Sequence, residues 1–199
     1  MKKIILSLTL ISASLFAKSQ DLTGVFYDPR DDQEYETVIL EFELEGGVLT
    51  DREWMTSNLN YEMEGSYCYK NYPEYCNVYG KLYSWKAAQE ACPSGWHLSL
   101  ESEWEMITKK YGGSQAAAAA MKEGGESGLA FIMAGFGEQD GLFIDIGVNG
   151  YYWNAKDFDR KVPGLITFHT GEDYFSDDDI NTTHRNSIRC VRDKEEGDL

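Results

Sequence analysis

Apolar and polar positions follow two different periods along this chain. Residues 35–44 alternate and are rich in β-formers, and with 25–27 they predict early strands. Leu82, Trp85, Ala88 and Cys92 then recur at helical spacing, so the pattern predicts a first helix over 82–92, stopped by Pro93. A second helix is predicted over 101–111, where Trp104, Ile107 and Tyr111 share one face and Gly112-Gly113 closes the end. The five consecutive alanines within 115–122 favour helix by propensity while burying little, which predicts a short third one. Beyond this point the helical period is lost. Segments 130–134, 142–146, 150–154, 165–170 and 187–191 are short, apolar or aromatic, and separated by Gly, Asp and Asn, as strands and loops are. Strands, then helices, then strands predict an α+β domain rather than a doubly wound one, and no internal repeat is present.

The first 19 residues have a different logic. Lys2 and Lys3 precede a mostly apolar run over 4–16, and Ala17-Lys18-Ser19 forms an A-x-S cleavage site before Gln20, the three parts of a secretory signal peptide. The run is too short for a bilayer core that needs roughly 20 residues, so no membrane insertion is expected after cleavage. Residues 20–192 suit one domain, and 193–199 form a short acidic tail. Losing the leader removes three lysines and takes the formal charge from −16 to about −19. Such a balance opposes nucleic acid and anionic membrane, which need clustered Lys and Arg. The 42% hydrophobic and 14% aromatic content is enough for a real core.

Cysteine usage agrees with export to a secreted or periplasmic location. The four cysteines allow three pairings. Cys68 and Cys76 enclose only seven residues, which suits a local pinched loop and would leave Cys92 with Cys190. Zinc is disfavoured, because no C-x-x-C pair occurs and His97, His169 and His184 stand apart without ligand spacing.

An ordered series of motifs carries a resemblance: DPRDDQEYET over 28–37, WMTSNLNY over 54–61, GSYCY over 65–69, YGKLYSWKAAQEACPSGWHL over 79–98, the Glu103-Trp104 pair, GYYWNA over 150–155, and SIRCVRD over 187–193. From Gly24 to Arg192 the chain resembles the Fibrobacter succinogenes major paralogous domain family, exported bacterial domains of poorly defined activity. The same order is similar to the C-type-lectin-like fold. That resemblance implies two main helices, short and mostly antiparallel strands, and a brace between Cys92 and Cys190. Two departures stand out. Leu98-Ser99-Leu100 replaces the usual L-P-T, so Ser99 or Ser102 is expected to cap the second helix. EFELEGGVLTDRE over 41–53 stands where a short turn is expected, which leaves that edge of the fold undefined.

Lectins of this fold bind sugar through calcium held by carboxylate and amide oxygens, and here Trp153-Asn154 is followed by Ala155 rather than Asp. A hard-cation site needs six to eight oxygens. Asp140, Asp145 and Asn154 are the calcium candidates, with Asn149 and Asp157 nearby in sequence; the alternative is that all are turn residues on a solvated rim. Asp177-Asp178-Asp179 reads as a solvated loop. The segment Leu98 to Trp104 and Arg189-Cys190 also resemble oxidative enzymes of the formylglycine-generating type, whose chemistry depends on a reactive cysteine pair; Cys190 is better used in a structural bridge. No G-x-S-x-G elbow supports a serine triad. Asp140 stands where a dinucleotide loop after Gly135-Phe136-Gly137 would need Gly. Aromatic faces stack on sugars or anchor protein partners, which makes Tyr151, Trp153, Asn154 and Phe158 the candidate ligand-binding residues. Because strand side chains alternate, Tyr151 and Trp153 share one face and Tyr152 and Asn154 the other, and one of the two faces is expected to be core. The sequence thus points to an exported, non-catalytic module for a glycan, polysaccharide or cell-surface protein, without a cofactor unless calcium serves. A calcium lectin and an oxidative enzyme are the alternatives.

Overall fold

A computed structural model describes residues 22–169, 175–177 and 180–194. The expected signal peptide, Asp178, Asp179 and most of the acidic tail lie outside the described residues. Two sheets organise the chain. Strands β1 (Leu22–Tyr27), β2 (Glu34–Glu43) and β3 (Leu49–Met55) form an antiparallel meander. The segment whose edge was undefined in sequence is the β2–β3 hairpin. Its turn needs left-handed backbone at Gly46 and Gly47 (φ 82° and 79°), which is open to glycine without steric cost.

After β4 (Ser66–Tyr67) comes a 3-10 turn at Tyr69–Asn71 and a helix, α1 (Pro73–Tyr79), so the small cysteine loop is largely helical. Pro73 fits the first turn, where its missing N–H is no loss. The predicted helix over 82–92 divides. Strand β5 (Leu82–Ser84) pairs with β4, and α2 (Trp85–Ala91) begins only where the Ser84 hydroxyl accepts from Ala87 N at 3.3 Å. Strand β6 (His97–Leu98) leads to α3 (Glu101–Tyr111), which matches its predicted bounds and ends on left-handed Gly112. Neither expected serine caps it. The Glu103 carboxylate reaches back to Leu100 N at 2.7 Å, while Ser99 accepts from the Trp104 indole and Ser102 bonds Asp157. Helix α4 (Ser114–Met121) corrects the reading of its alanines: Ala117, Ala118 and Ala120 are buried, small enough to pack closely against α3.

Short strands β7 (Phe136–Gly137) and β8 (Phe143–Ile144) form a hairpin, followed by β9 (Asn149–Ala155), β10 (Pro163–His169), β11 (Phe175–Asp177), β12 (Arg185–Ile188) and β13 (Cys190–Asp193). One sheet runs β1-β2-β3-β13-β6; the other runs β11-β10-β9-β12-β5-β4 with the β7–β8 hairpin beside β12. The β9–β12 pair is parallel, whereas the other strand pairs named here are antiparallel. The fold is therefore α+β.

Two predicted strands behave differently, and Arg189 touches both. The strand expected over 187–191 is interrupted at Arg189, where the chain leaves the second sheet and enters the first. Arg189 is fully buried and donates to the carbonyls of Met55, Leu129 and Ala130 and to Asn58 Oδ1 at 2.7–2.9 Å. It holds the carbonyls of Leu129 and Ala130 while the Tyr152 hydroxyl holds both N and O of Ile132, and 130–134 makes only an isolated bridge at Phe131.

Hydrophobic packing falls into two large clusters. One joins Val38, Leu40 and Trp54 of the first sheet to Trp104 and Ile107 of α3, Met121 of α4, and Phe131, Tyr152 and Phe168. The other joins Met55, Tyr83, Trp85, Trp96, Trp153, Leu165 and Ile188 around α2. Strand β9 lies between them, with Tyr152 in the first and Trp153 in the second, so both of its faces are core rather than one. The disulfides are Cys68–Cys76 and Cys92–Cys190, which between them use all four cysteines. Two such bridges belong in an oxidising environment. Among the described residues no helix is long and apolar enough to cross a membrane.

Candidate functional site

The structure separates the residues singled out in sequence. Trp153 is fully buried, donates its indole N–H to Tyr83 O at 2.8 Å and packs edge-on against Trp85; it braces the core and offers no face to a ligand. Asn154 is buried too, facing Gly164 on β10 so closely that a Cβ there would overlap its amide. Phe158 is 80% exposed in the β9–β10 connection. It lies beyond the far end of β9, about 20 Å from the Asn149 end for a seven-residue strand.

Tyr151 and Asp145 do come together. The Tyr151 hydroxyl donates to Asp145 Oδ2 at 2.6 Å, and Asn149 Nδ2 donates to the same oxygen at 3.0 Å. Asp140 instead tightens the β7–β8 turn by accepting from Leu142 N. The calcium trio is thus not assembled: Asp145 is held by Tyr151, and Asn154 lies three residues further along β9 on its opposite face. Among the described residues no group of three or more His, Cys, Asp or Glu side chains is placed to hold a metal ion.

Asp140 opens onto a shallow cleft of about 470 Å³ formed by two segments remote in sequence, Glu138, Gln139 and Asp140 of the β7–β8 turn and Asn181, Thr183 and His184 before β12. Its wall is internally determined. Asn181 Oδ1 accepts from Thr183 N at 3.1 Å and Thr183 Oγ1 at 2.7 Å, which leaves Nδ2 to donate to His184 Nε2 at 3.0 Å. An accepting Nε2 requires the neutral ring with its proton on Nδ1. Burial pushes the His184 pKa down, with Glu138 opposing, in keeping with a neutral imidazole. Behind it the ring lies 4.6 Å from Phe136, which packs edge-on against Tyr151 at 4.8 Å. The Tyr151–Asp145 pair therefore braces the cleft from behind. On the rim, Arg185 stacks over Tyr67 at 3.8 Å and donates to Gln139 O at 3.3 Å, tying the hairpin turn to β12.

From sequence His184 stands apart without ligand spacing, and nothing marks Gln139, Asn181 or Thr183 as its neighbours. Only the N-T-T-H run hinted at a side-chain-capped turn. A larger cleft, about 690 Å³, lies between the β2–β3 hairpin and α3, but its lysines are already used: Lys110 donates to Glu41 O and Lys109 to Glu43 O, sealing helix to hairpin.

What the smaller cleft can do follows from its groups. Over a wall in which Asn181, Thr183 and His184 are bonded to one another, the Gln139 amide and the Glu138 and Asp140 carboxylates offer hydrogen-bonding partners to a ligand rich in hydroxyls. In comparison with known proteins, the Fibrobacter succinogenes major domain model matches residues 49–192, and no curated protein or solved structure matches the chain. The matched span begins at β3 and includes both disulfides, both halves of the cleft and Arg189, while β1 and β2 precede it. With well over half of its length inside that match, the chain belongs to the Fibrobacter succinogenes major domain family.

Proposed function

We propose that this protein is an exported, non-catalytic binding module that recognises a glycan or polysaccharide, without calcium, in the cleft between the β7–β8 turn and residues 181–184. The observation that carries the reading is the fixed hydrogen-bond chain Thr183–Asn181–His184, which presets the polarity of one wall before a ligand arrives. The cleft is shallow and open, the form that suits a polymer laid across a surface. Export is supported by the leader sequence and the two bridges. The likeness to lectins in motif order favours a sugar over a cell-surface protein. Oxidative chemistry of the formylglycine-generating type needs reactive thiols, and the pairing of all four cysteines weighs against it.

The test is a glycan array with the oxidised protein from Gln20 onward, in calcium and in chelator. Equal binding in both is expected. Gln139→Ala and His184→Ala are expected to weaken a captured glycan about tenfold each, the loss of one or two hydrogen bonds, with the melting temperature held. A blank array accompanied by recovery of a cell-surface protein from envelope extract would replace the glycan with that partner. Binding lost only in chelator would bring back the calcium lectin.

A further inference from the structure

Strand β1 is an edge strand: β2 covers one side of it, and no described strand pairs with the other. Its six residues, LTGVFY, carry no charged side chain, in a chain that holds 34 Asp and Glu and a formal charge of −16. Edge strands ordinarily carry charge, proline or a bulge that discourages pairing, and β1 has none of these. The remaining sheet ends do not compare. The opposite end of the same sheet, β6, has two residues, and in the second sheet β4, β8 and β11 have two, two and three described residues. Val25 and Tyr27 are half exposed or more, at 50% and 63%. Beside them a groove of about 360 Å³, lined by Thr23, Val25, Val38, Gly128 and Ala130 with Glu36 as its one charged residue, leaves room for side chains of an added strand.

We propose that β1 is a homodimer interface, at which two copies of this chain pair their β1 strands antiparallel about a two-fold axis. The chemistry favours a second copy. An unpaired ladder of N–H and C=O groups requires an extended strand, and β1 supplies a partner of the same length and twist, giving a continuous sheet with five strands from each copy. Strongly acidic chains repel each other, and β1 itself brings no carboxylate to the pairing, while Glu34 and Glu36 lie one strand back on β2, opposite Tyr27 and Val25. Pairing along about 20 Å of edge buries little area, so the dimer belongs to the weak class below about 1,200 Å² and depends on concentration.

Sedimentation equilibrium of the oxidised protein from about 1 μM to 1 mM is expected to show a reversible monomer–dimer transition in the range of weak complexes. Thr23→Glu and Val25→Glu, both at exposed positions, are expected to weaken dimerisation roughly tenfold or more by adding carboxylates across the strand pair beside Glu36, with unchanged thermal unfolding. Amide hydrogen exchange in β1 is expected to slow as concentration rises, with the rest of the first sheet unaffected. A monomer throughout, or a dimer indifferent to both glutamates, would overturn the proposal. So would β1 amides that become protected only when envelope extract is added, because the strand would then serve a foreign segment.

Discussion

Arg189 shows how much one side chain decides. Burying a guanidinium without a carboxylate beside it is costly, and burial lowers its pKa to about 10, with Tyr152 opposing. Four neutral acceptors offset the cost and keep the charge in place, and the Phe131 ring lies 4.2 Å away. Replacing it by methionine keeps much of the volume but leaves three carbonyls and the Asn58 amide oxygen unsatisfied. Arg189→Met is therefore expected to cost about 3 kcal/mol or more, read as a lower urea midpoint at unchanged slope. Arg30 shows the same economy near the surface. It holds buried Asp28 through a two-pronged ion pair, stacks on Tyr61 at 3.7 Å and donates to Ala91 O, tying the β1–β2 turn to the end of α2. Burial alone would raise the Asp28 pKa, but the Arg30 hydrogen bonds and charge bring it below its ordinary value.

Among elements, the two disulfides have unequal consequences. Cys92–Cys190 joins the end of α2 to β13 across 98 residues, whereas Cys68–Cys76 closes a span of 8 within one turn and α1. In the chain-entropy account the first stabilises by about 4 to 5 kcal/mol and the second by about 2 to 3 kcal/mol. Removing Cys92 and Cys190 together is expected to lower the melting temperature by clearly more than removing Cys68 and Cys76; calorimetry on the two double serine variants checks the order. The elements also show where periodicity succeeds. Trp104, Ile107 and Tyr111 set the face of α3, and Gly112 sets its end, all from local spacing. Helix α1 is marked by Pro73 at its start and the spacing of Tyr72, Tyr75 and Tyr79, whose rings succeed each other at 6.3 Å, whereas the close Cys68 and Cys76 by themselves suggest only a pinched loop. The division of β5 from α2 was harder to see, because Leu82 fits the helical stripe and only the Ser84 cap excludes it.

For the molecule as a whole, packing on both sides of β9 makes stability sensitive to alkali. Burial raises the pKa of Tyr35 to about 12 and those of Tyr83 and Tyr152 above the usual value as well. Each contribution is fully present below the unfolded value of 10.0 and is lost as pH rises toward the folded value, since the unfolded chain ionises first. Arg189 acts with the opposite sign, releasing its proton earlier when folded, and offsets part of this loss. The melting temperature is therefore expected to fall between about pH 10 and 12, and tyrosinate absorbance to show three of the 13 tyrosines titrating only as the fold opens. The family, the α+β order of elements, the helix α3 and the ranking of cysteine pairs were determined by the sequence alone, because each depends on spacing within a local segment or on a motif series. The tertiary structure decided which aromatic residues face solvent, since strand alternation says that Tyr151 and Tyr152 point apart but not that both sides are covered. It also decided the site: Gln139 and His184 come together only because β12 runs beside the β7–β8 hairpin, a pairing between segments more than forty residues apart that no local pattern encodes.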